Sequence, residues 1–240
     1  MQIIQRTFNV CFPRSGHRFL RDMCSAYFGG DLKFRDIHQK SGFSLEEANY
    51  IKDHDFGLLN LNKGIPILPE MRYLIQYRHP LESLVSYFEF QVKHGLLNDN
   101  REAWDIFLPK HMDYWKSFVD KWCISTQKNN NLILHKVRYS DLYADTFQRM
   151  KEVIRFLTNE KSFVDEDRLE KAIMQFKSGF TRYVEDEKSD ISLIRGARDI
   201  ENFKYFDDVF YALEKELKSS FLDPLGIETV IITANKFSKA

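Results

Sequence analysis

The chain has 240 residues, of which 43% are hydrophobic and 29% are charged, a balance typical of a soluble globular protein. Lys plus Arg and Asp plus Glu both number 35, so the net charge gives no argument for a nucleic-acid partner. The three cysteines form no Cys-x-x-Cys pair, which argues against a disulfide framework and a structural zinc site. We expect one cytoplasmic domain over residues 1–240, without a metal, a signal peptide or a transmembrane segment.

The first informative segment is a strand that turns directly into a helix. The apolar run at residues 8–12 predicts a buried strand, Pro13 and Gly16 end it, and an apolar helical stripe follows as far as Gly29. The first N–H groups of such a helix, together with its dipole, attract an anion. The turn also carries side chains that donate to phosphate oxygens: Arg14, Ser15, His17 and Arg18. The segment therefore predicts a P-loop-like, anion-binding turn, and an ordinary strand–turn–helix connection is the alternative.

Two further strands are followed by helices. Residues 71–77 predict a strand that ends at Arg78, and Pro80 suits the first position of a helix with one apolar face. Residues 132–139 predict a third strand, and residues 150–157 an amphipathic helix. This alternation predicts the α/β class: a single domain with a central, mainly parallel sheet flanked by helices.

The remaining segments carry weaker patterns. Residues 31–44 predict a loop, and the capping-box pattern at residues 44–47 predicts the start of a short helix. Aromatic residues between 104 and 122 predict another helix. The charged region 159–202 predicts short helices with a flexible basic stretch at 194–198, and residues 203–221 predict a last helical region.

Four motifs in order resemble those of the sulfotransferase family, whose sulfuryl donor is 3′-phosphoadenosine 5′-phosphosulfate (PAPS). Residues 13–16, Pro-Arg-Ser-Gly, resemble the family's 5′-phosphosulfate loop, and Arg78 with Ser86 eight residues later resembles its 3′-phosphate motif. Residues 137–142 are similar to its Arg-Tyr-Glu-Asp-Leu strand end, and residues 154–157 fit the helix that follows. The resemblance spans most of residues 8–157, with a weaker match to residue 226. It implies a PAPS-dependent enzyme whose product is adenosine 3′,5′-bisphosphate (PAP).

The resemblance also implies which residues bind the donor. Arg14 matches the residue that contacts the 5′-phosphosulfate and stabilises charge on the leaving bridge oxygen, and Ser15 and Gly16 complete the backbone cradle. The other implied contacts are Phe19 and Tyr139 at the adenine, Arg78 and Ser86 at the 3′-phosphate, and Arg195 and Gly196 in a segment that closes over that phosphate.

Two segments depart from the family pattern, the turn after the first strand and the late segment near residue 195. His17 and Arg18 replace the hydroxyl pair that donates to the 5′-phosphate; the charge of Arg18 can substitute, whereas His17 is harder to explain. The late segment lacks its Lys, and the Gly-x-x-Gly-x-Trp pattern is absent. These later differences concern the lid over the donor rather than the fold.

Residues 52–54, Lys-Asp-His, resemble the family's Lys-Thr-His segment, whose His is the general base. In-line sulfuryl transfer is faster when a base takes the acceptor's proton and cations stabilise the departing phosphate. An imidazole titrates near ~6.5, so it is neutral and basic at cytosolic pH. The resemblance implies His54 as the base and Lys52 as a second cation beside Arg14, while Asp53 and Asp55 are alternative bases.

Three other functions match parts of the sequence. A P-loop kinase or NTPase needs Gly-x-x-x-x-Gly-Lys-Ser/Thr, but the turn lacks the first Gly and the Lys-Ser/Thr ending. A Cys-dependent phosphatase needs five residues between Cys and Arg, whereas Cys11 and Arg18 enclose six. The third alternative is a non-catalytic nucleotide-binding protein, against which Lys52 and His54 argue.

The acceptor is the least determined part of the prediction. Variable loops build acceptor sites in the family, here residues 31–48, 91–115 and 180–200. The candidates for an apolar lining, which could equally belong to the core, are Phe90, Trp104, Phe107 and Tyr183. We expect a small-molecule, lipid-linked or carbohydrate acceptor that presents a hydroxyl or an amine.

Overall fold

Strand β1 (Thr7–Cys11) lies inside the sheet, where four of its five side chains are buried and that of Phe8 is half-buried. It pairs in parallel with β4 (Tyr50–Asp53) on one side and with β5 (Arg72–Tyr77) on the other. Three more strands complete the sheet: β2 (Phe34–Asp36), β3 (Ser41–Gly42) and β6 (Ile133–Arg138). The strand order is β3-β2-β4-β1-β5-β6, and the β2–β3 pair alone is antiparallel among these strands.

The structure is a computed structural model that describes residues 3–60, 64–128, 131–159, 163–185 and 200–230. Its helices are α1 (His17–Phe28), α2 (Pro80–Lys93), α3 (Arg101–Val119), α4 (Tyr139–Ala144), α5 (Thr146–Leu157), α6 (Glu166–Glu185) and α7 (Asp208–Leu217). Within the described ranges, no helix combines the length and the hydrophobicity needed to cross a membrane.

The sheet separates two apolar layers. One layer joins Val10 and Ile75 of the sheet to the aromatic residues of α2, α3 and α7, including the fully buried Trp115. The other joins Tyr50 and Leu74 to the apolar faces of α1, α5 and α6. Because successive residues of a strand face opposite sides, the two layers together bury both faces of the central strands. The predicted α/β fold with a mainly parallel sheet is confirmed.

Three segments differ from their sequence predictions. The predicted loop at residues 31–44 contains β2 and β3. The predicted helix at Ser44 is a single turn, in which Glu47 N–H donates to Ser44 Oγ and Ser44 N–H to the Glu47 carboxylate, both at 3.3 Å. In the described part of region 159–202, a 20-residue helix, α6, and a 3₁₀ turn at Ile200–Asn202 take the place of several short helices. The basic stretch 194–198 lies outside the described residues.

Candidate functional site

The predicted site residues meet at one edge of the sheet because four parallel strands end there. His54 directly follows β4, Arg14 follows β1 by three residues, and Arg78 and Tyr139 directly follow β5 and β6. The strand register places Val10 beside Asp53 and Cys11 beside Gln76, so these ends are level with one another. Ligands in open parallel sheets bind at such an edge.

A pocket of about 490 Å³ opens at this edge, and we call it the carboxyl-edge pocket. Its lining is strongly cationic, with one carboxylate, that of Asp36, against five basic side chains: Arg14, Arg18, Arg21, Lys52 and Arg78. Its lining also includes four phenylalanine and tyrosine rings: Phe56, Tyr87, Phe90 and Tyr139. This charge distribution suits a ligand that carries several negative charges.

The turn after β1 has an unusual backbone. Arg14 has a φ of 64° and Gly16 a φ of 84°, so both residues are left-handed. A Cβ atom at Gly16 would lie 2.3 Å from the ring of Tyr139, which closes against the turn. Glycine is therefore needed at position 16 both for its φ and for the close approach of the ring. The Ser15 hydroxyl is fully buried and has no hydrogen-bond partner among the described residues.

The side chains of Arg14 and Arg78 are held by α2. Arg14 Nε donates to Ser86 Oγ at 3.1 Å, which connects the turn to the helix. Arg78 forms a two-pronged ion pair with Glu82, with Nε–Oε2 at 3.0 Å and Nη2–Oε1 at 3.2 Å, and its guanidinium lies 4.5 Å from the centre of the Tyr139 ring. Both members of this pair are buried. The ion pair fixes the direction of Arg78 at the wall of the pocket.

His54 is a buried, neutral imidazole. Its Nδ1 atom lies 2.7 Å from the carbonyl oxygen of Cys11. Because a carbonyl only accepts, Nδ1 carries the proton and Nε2 keeps its lone pair. Burial, reinforced by the charge of Lys52, lowers the pKa of His54 to about 3. The hydroxyl of Tyr114 donates to the His54 carbonyl and so anchors the backbone at this residue.

Lys52 forms a buried ion pair with Asp36 of β2, with Nζ–Oδ2 at 3.0 Å. Burial alone would raise the pKa of Asp36, but the hydrogen bond and the charge of Lys52 outweigh it, and the pKa is lowered. An ammonium has three donors, of which Asp36 takes one. Both residues line the pocket.

Two histidines of the pocket lining, His17 and His54, lie close to the buried Cys11, and all three side chains are of kinds that can bind a metal ion. The ligand atoms of Cys11, His17 and His54 lie within 4.8 Å of one another. Burial raises the pKa of the Cys11 thiol to about 12, so the thiolate that a soft metal ion needs is strongly disfavoured. The absence of a metal stays a prediction.

The comparisons with known proteins decide the family. A family model described as a sulfotransferase domain matches residues 61–207, which is more than half of the chain. The chain belongs to the sulfotransferase family. The same fold is found in the crystal structure of mouse sulfotransferase SULT7A1 complexed with PAP, with a TM-score of 0.57 and 14% sequence identity, over 91% of this chain and 86% of the mouse chain. No curated protein sequence matches this sulfotransferase.

The family match confirms the prediction of a sulfotransferase enzyme. The matched range includes Arg78, Ser86 and Tyr139, whereas the turn at Arg14 and the segment of His54 precede it. The roles of the individual residues therefore stay predictions. Among the residues implied to bind the donor, the pocket lining includes Arg14, Gly16, His17, Arg18, Arg78, Ser86 and Tyr139.

Some predicted residues of this sulfotransferase are placed elsewhere. Ser15 is buried beneath the turn, and Phe19 packs against Tyr139 and Phe176 in the core rather than lining the pocket, an arrangement that does not favour stacking on adenine. Trp104 is a core residue with 1% exposure. Arg195 and Gly196, like the side chain of Tyr183, lie outside the described residues.

The two alternative bases have structural roles in the structure. Asp53 Oδ1 lies 2.9 Å from His38 Nε2 and accepts from the Asp55 N–H at 2.7 Å. The fully buried Asp55 carboxylate accepts from Lys121, Trp122 and the backbone of residue 65, at 2.7, 2.7 and 2.6 Å. Neither carboxylate lines the pocket. Both instead accept hydrogen bonds that connect neighbouring segments of the chain.

The sequence interpretation missed the part of the pocket that is formed at the end of β2. Asp36, the last residue of β2, lines the pocket together with His38 and Gln39, which follow the strand. The His38 ring stacks on that of His54 with 5.5 Å between centroids. The available signal was a pair of titratable residues, Asp36 and His38, two positions apart. These two residues could not be assigned to the site while residues 31–44 were interpreted as a loop, because a loop prediction does not place them at a strand end.

Proposed function

We propose that this sulfotransferase moves the sulfuryl group of PAPS to a hydroxyl or amine of a small-molecule, lipid-linked or carbohydrate acceptor by in-line displacement, with His54 as the general base. The observation that carries the proposal is that residues from the ends of three different strands line one pocket: Arg14 after β1, Lys52 and His54 at the end of β4, and Arg78 after β5. The mouse sulfotransferase of the same fold was solved with PAP, the product expected from this donor.

The residues at the turn fit a phosphate group. Two left-handed residues, Arg14 and Gly16, shape the backbone before the N-terminus of α1, and the buried Ser15 hydroxyl adds a polar group to the turn. Arg14, Gly16, His17 and Arg18, which line the pocket, would hold the 5′-phosphosulfate, and the buried Ser15 would complete the turn behind them. PAPS supplies an activated sulfuryl group with PAP as the leaving group.

The other end of the donor would be held by α2 and α4. Arg78 and Ser86 would bind the 3′-phosphate, and Tyr139, whose ring lies between Gly16 and the Arg78 guanidinium, would bound the nucleotide. Arg14 already reaches Ser86 at 3.1 Å, so the residues assigned to the two phosphates lie close together. A single nucleotide with phosphates at both positions suits this spacing.

His54 can accept a proton at Nε2. The hydrogen bond from Nδ1 to the Cys11 carbonyl fixes this tautomer, and the lowered pKa keeps the free imidazole neutral at physiological pH. An acceptor hydroxyl that donates to Nε2 would be directed towards the sulfuryl group. Arg14 and Lys52 would stabilise the negative charge that develops on the departing phosphate.

Donor binding tests the first half of the proposal. Calorimetric titration with PAP should show tight binding that falls about 10- to 150-fold in Arg14→Ala and in Arg78→Ala, since each loses charge-assisted hydrogen bonds. Arg101→Ala is the matched control, because this exposed arginine pairs with Asp105 and Asp207 away from the pocket. Binding of ATP with magnesium in place of PAP would refute the proposal and support a kinase or NTPase.

Sulfate transfer tests the second half. His54→Gln should keep PAP affinity and lose about 10²- to 10⁴-fold in transfer rate, because only proton removal is affected. Unchanged transfer in this variant would rule out His54 as the base. Donor binding without transfer to any acceptor of a broad panel would favour the non-catalytic alternative.

A further inference from the structure

A second histidine lies directly against the proposed base. The His38 ring stacks on the His54 ring, with 5.5 Å between the centroids and an angle of 13° between the planes. His38 lines the carboxyl-edge pocket, and its side chain is 30% exposed. None of the motifs that resemble those of the sulfotransferase family includes this residue. The family resemblance therefore assigns no role to His38.

The register of the sheet explains why the two histidines meet. Strands β2 and β4 run parallel, with Asp36 beside Lys52. His38 follows Asp36 by two residues, as His54 follows Lys52. The Ile37 N–H donates to the Lys52 carbonyl at 3.2 Å, which continues the pairing beyond the end of β2. Both histidines consequently reach the pocket beside the ion pair of Asp36 and Lys52.

The Nε2 atom of His38 lies between two groups of the segment that carries the base. It is 2.9 Å from Asp53 Oδ1 and 3.1 Å from the backbone nitrogen of His54. One ring nitrogen cannot donate to the carboxylate and accept from the amide at the same time. As an N–H donor it binds Asp53, and as an acceptor it binds the His54 N–H. In either form, His38 is hydrogen-bonded to the segment of the base.

Asp53 continues this connection to the other side of His54. Its Oδ1 atom accepts from the Asp55 N–H at 2.7 Å. Asp55 has a φ of 53°, a left-handed conformation that turns the chain directly after His54. Burial alone would raise the pKa of Asp53, but the hydrogen bonds from His38 and from the Asp55 N–H outweigh it, and the pKa is lowered. Asp53 is therefore a carboxylate that accepts from both.

The ring of His54 depends on its neighbours for its orientation. Its Nδ1 atom donates to the Cys11 carbonyl at 2.7 Å. The rings of His17 and Phe56 approach it at angles of 86° and 46°, whereas the His38 ring lies nearly parallel to it. Removal of the His38 ring would open space against one face of His54. Rotation of the imidazole into that space would break the hydrogen bond to Cys11.

We propose that His38 is a positioning residue that holds the imidazole of His54 with Nδ1 at the Cys11 carbonyl and Nε2 ready to accept the proton of the acceptor. This inference rests on the proposed function of His54. A base must stay within hydrogen-bond reach of the proton that it removes, and a displacement of about 1 Å costs about 100-fold in rate. Donor binding does not depend on this geometry.

Two-dimensional ¹⁵N NMR of the histidine side chains tests the proposal without an acceptor. The signals of His54, identified by their loss in His54→Gln, should show a protonated Nδ1 and an unprotonated Nε2. His38→Ala should replace them with the averaged signals of exchanging tautomers, whereas His135→Ala should not. His135 is the matched control, because its ring stacks on Phe156 at the opposite edge of the sheet and does not line the pocket.

Two further variants separate the contacts of His38. His38→Gln keeps a donor and an acceptor, and His38→Phe keeps a flat ring. Restoration of the His54 signals by either variant supports the proposal and identifies the contact that positions the base. Unchanged His54 signals in His38→Ala overturn it. Signals that neither variant restores also overturn it, because the Ala variant would then have disturbed the segment as a whole.

Transfer from PAPS to phenol, used as the probe acceptor, separates this proposal from the proposed function. His38→Ala should lower the transfer rate about 100-fold and leave the affinity for PAP unchanged. Loss of transfer in His54→Gln, with wild-type transfer and wild-type His54 signals in His38→Ala, refutes the positioning role and keeps His54 as the base. Unchanged transfer in His54→Gln, with altered His54 signals in His38→Ala, keeps the positioning contact and refutes the base.

Discussion

The buried imidazole of His54 should make the stability of the fold depend on pH. Its pKa is lowered from 6.5 to about 3 by burial and by Lys52, whereas in the unfolded chain it returns to 6.5. Between about pH 3 and pH 6.5 the unfolded state therefore binds a proton at this residue and the folded state does not, so acid favours unfolding. The stabilisation is complete above pH 6.5 and is lost as the pH falls from there towards 3. Between pH 7.5 and 5.5 this single group should cost about 1.4 kcal/mol of unfolding free energy.

Urea unfolding of the wild type and of His54→Gln at pH 7.5, 6.5 and 5.5 measures this effect. Both proteins keep every other titrating group, so the difference between their unfolding free energies isolates the histidine. The wild type should lose about 1.4 kcal/mol more than the variant over this range. A difference that stays constant with pH would show that His54 is protonated as readily in the folded state as in water, and would refute the buried, neutral base.

Three further predictions concern residues around the pocket. Gly16→Ala should lower the unfolding free energy by about 2–4 kcal/mol, because the residue is left-handed and its Cβ meets the ring of Tyr139; in urea titrations, combination with Tyr139→Ala should cost less than the sum of the two single changes. Asp55→Ala should cost about 2–4 kcal/mol in the same assay, since its buried hydrogen-bond donors lose their acceptor. Lys52→Met should cost about 3–5 kcal/mol by leaving Asp36 buried and unpaired, and Asp36→Asn in the same chain should recover part of that loss.

A specific result would contradict each of these three predictions. Strict additivity of the Gly16 and Tyr139 changes would mean that ring and turn are not in contact. A fully stable Asp55→Ala would mean that its bonds exchange with water at no cost. A double Asp36–Lys52 variant that is less stable than Lys52→Met would exclude the unpaired carboxylate as the cause.

The local patterns of the sequence predicted most of the fold. Residues 8–12, 71–77 and 132–139 are strands within one residue or two of the observed bounds, because a buried parallel strand needs a continuous apolar run. The helix after the turn ends at Gly29, as its apolar stripe predicted. Strands β2, β3 and β4 were not predicted, because segments of two to four residues carry too little periodicity. They form by pairing with one another and with β1.

Some features of the site could likewise be predicted from the sequence and others could not. The turn at Arg14 and Gly16 and the helix start after Arg78 were readable, since Pro, Gly and charged residues mark a break between a strand and a helix in the sequence itself. The partners of the site residues were not readable. Nothing near Lys52 indicates that Asp36 neutralises it, and nothing near Asp55 indicates that it binds Trp122 instead of facing the pocket.

The sequence alone thus determined the α/β class, the strand–turn–helix unit at Arg14 and the order of the motifs along the chain. The tertiary structure decided which side chains are in contact. Phe19 packs in the core, Asp53 and Asp55 bind neighbouring segments of the chain, and the His38 ring stacks on that of His54. The physical reason is the range of the interactions. Turns and helices follow from neighbouring residues, whereas the burial and pairing of a charged side chain depend on strands that are distant in sequence and adjacent only in the sheet.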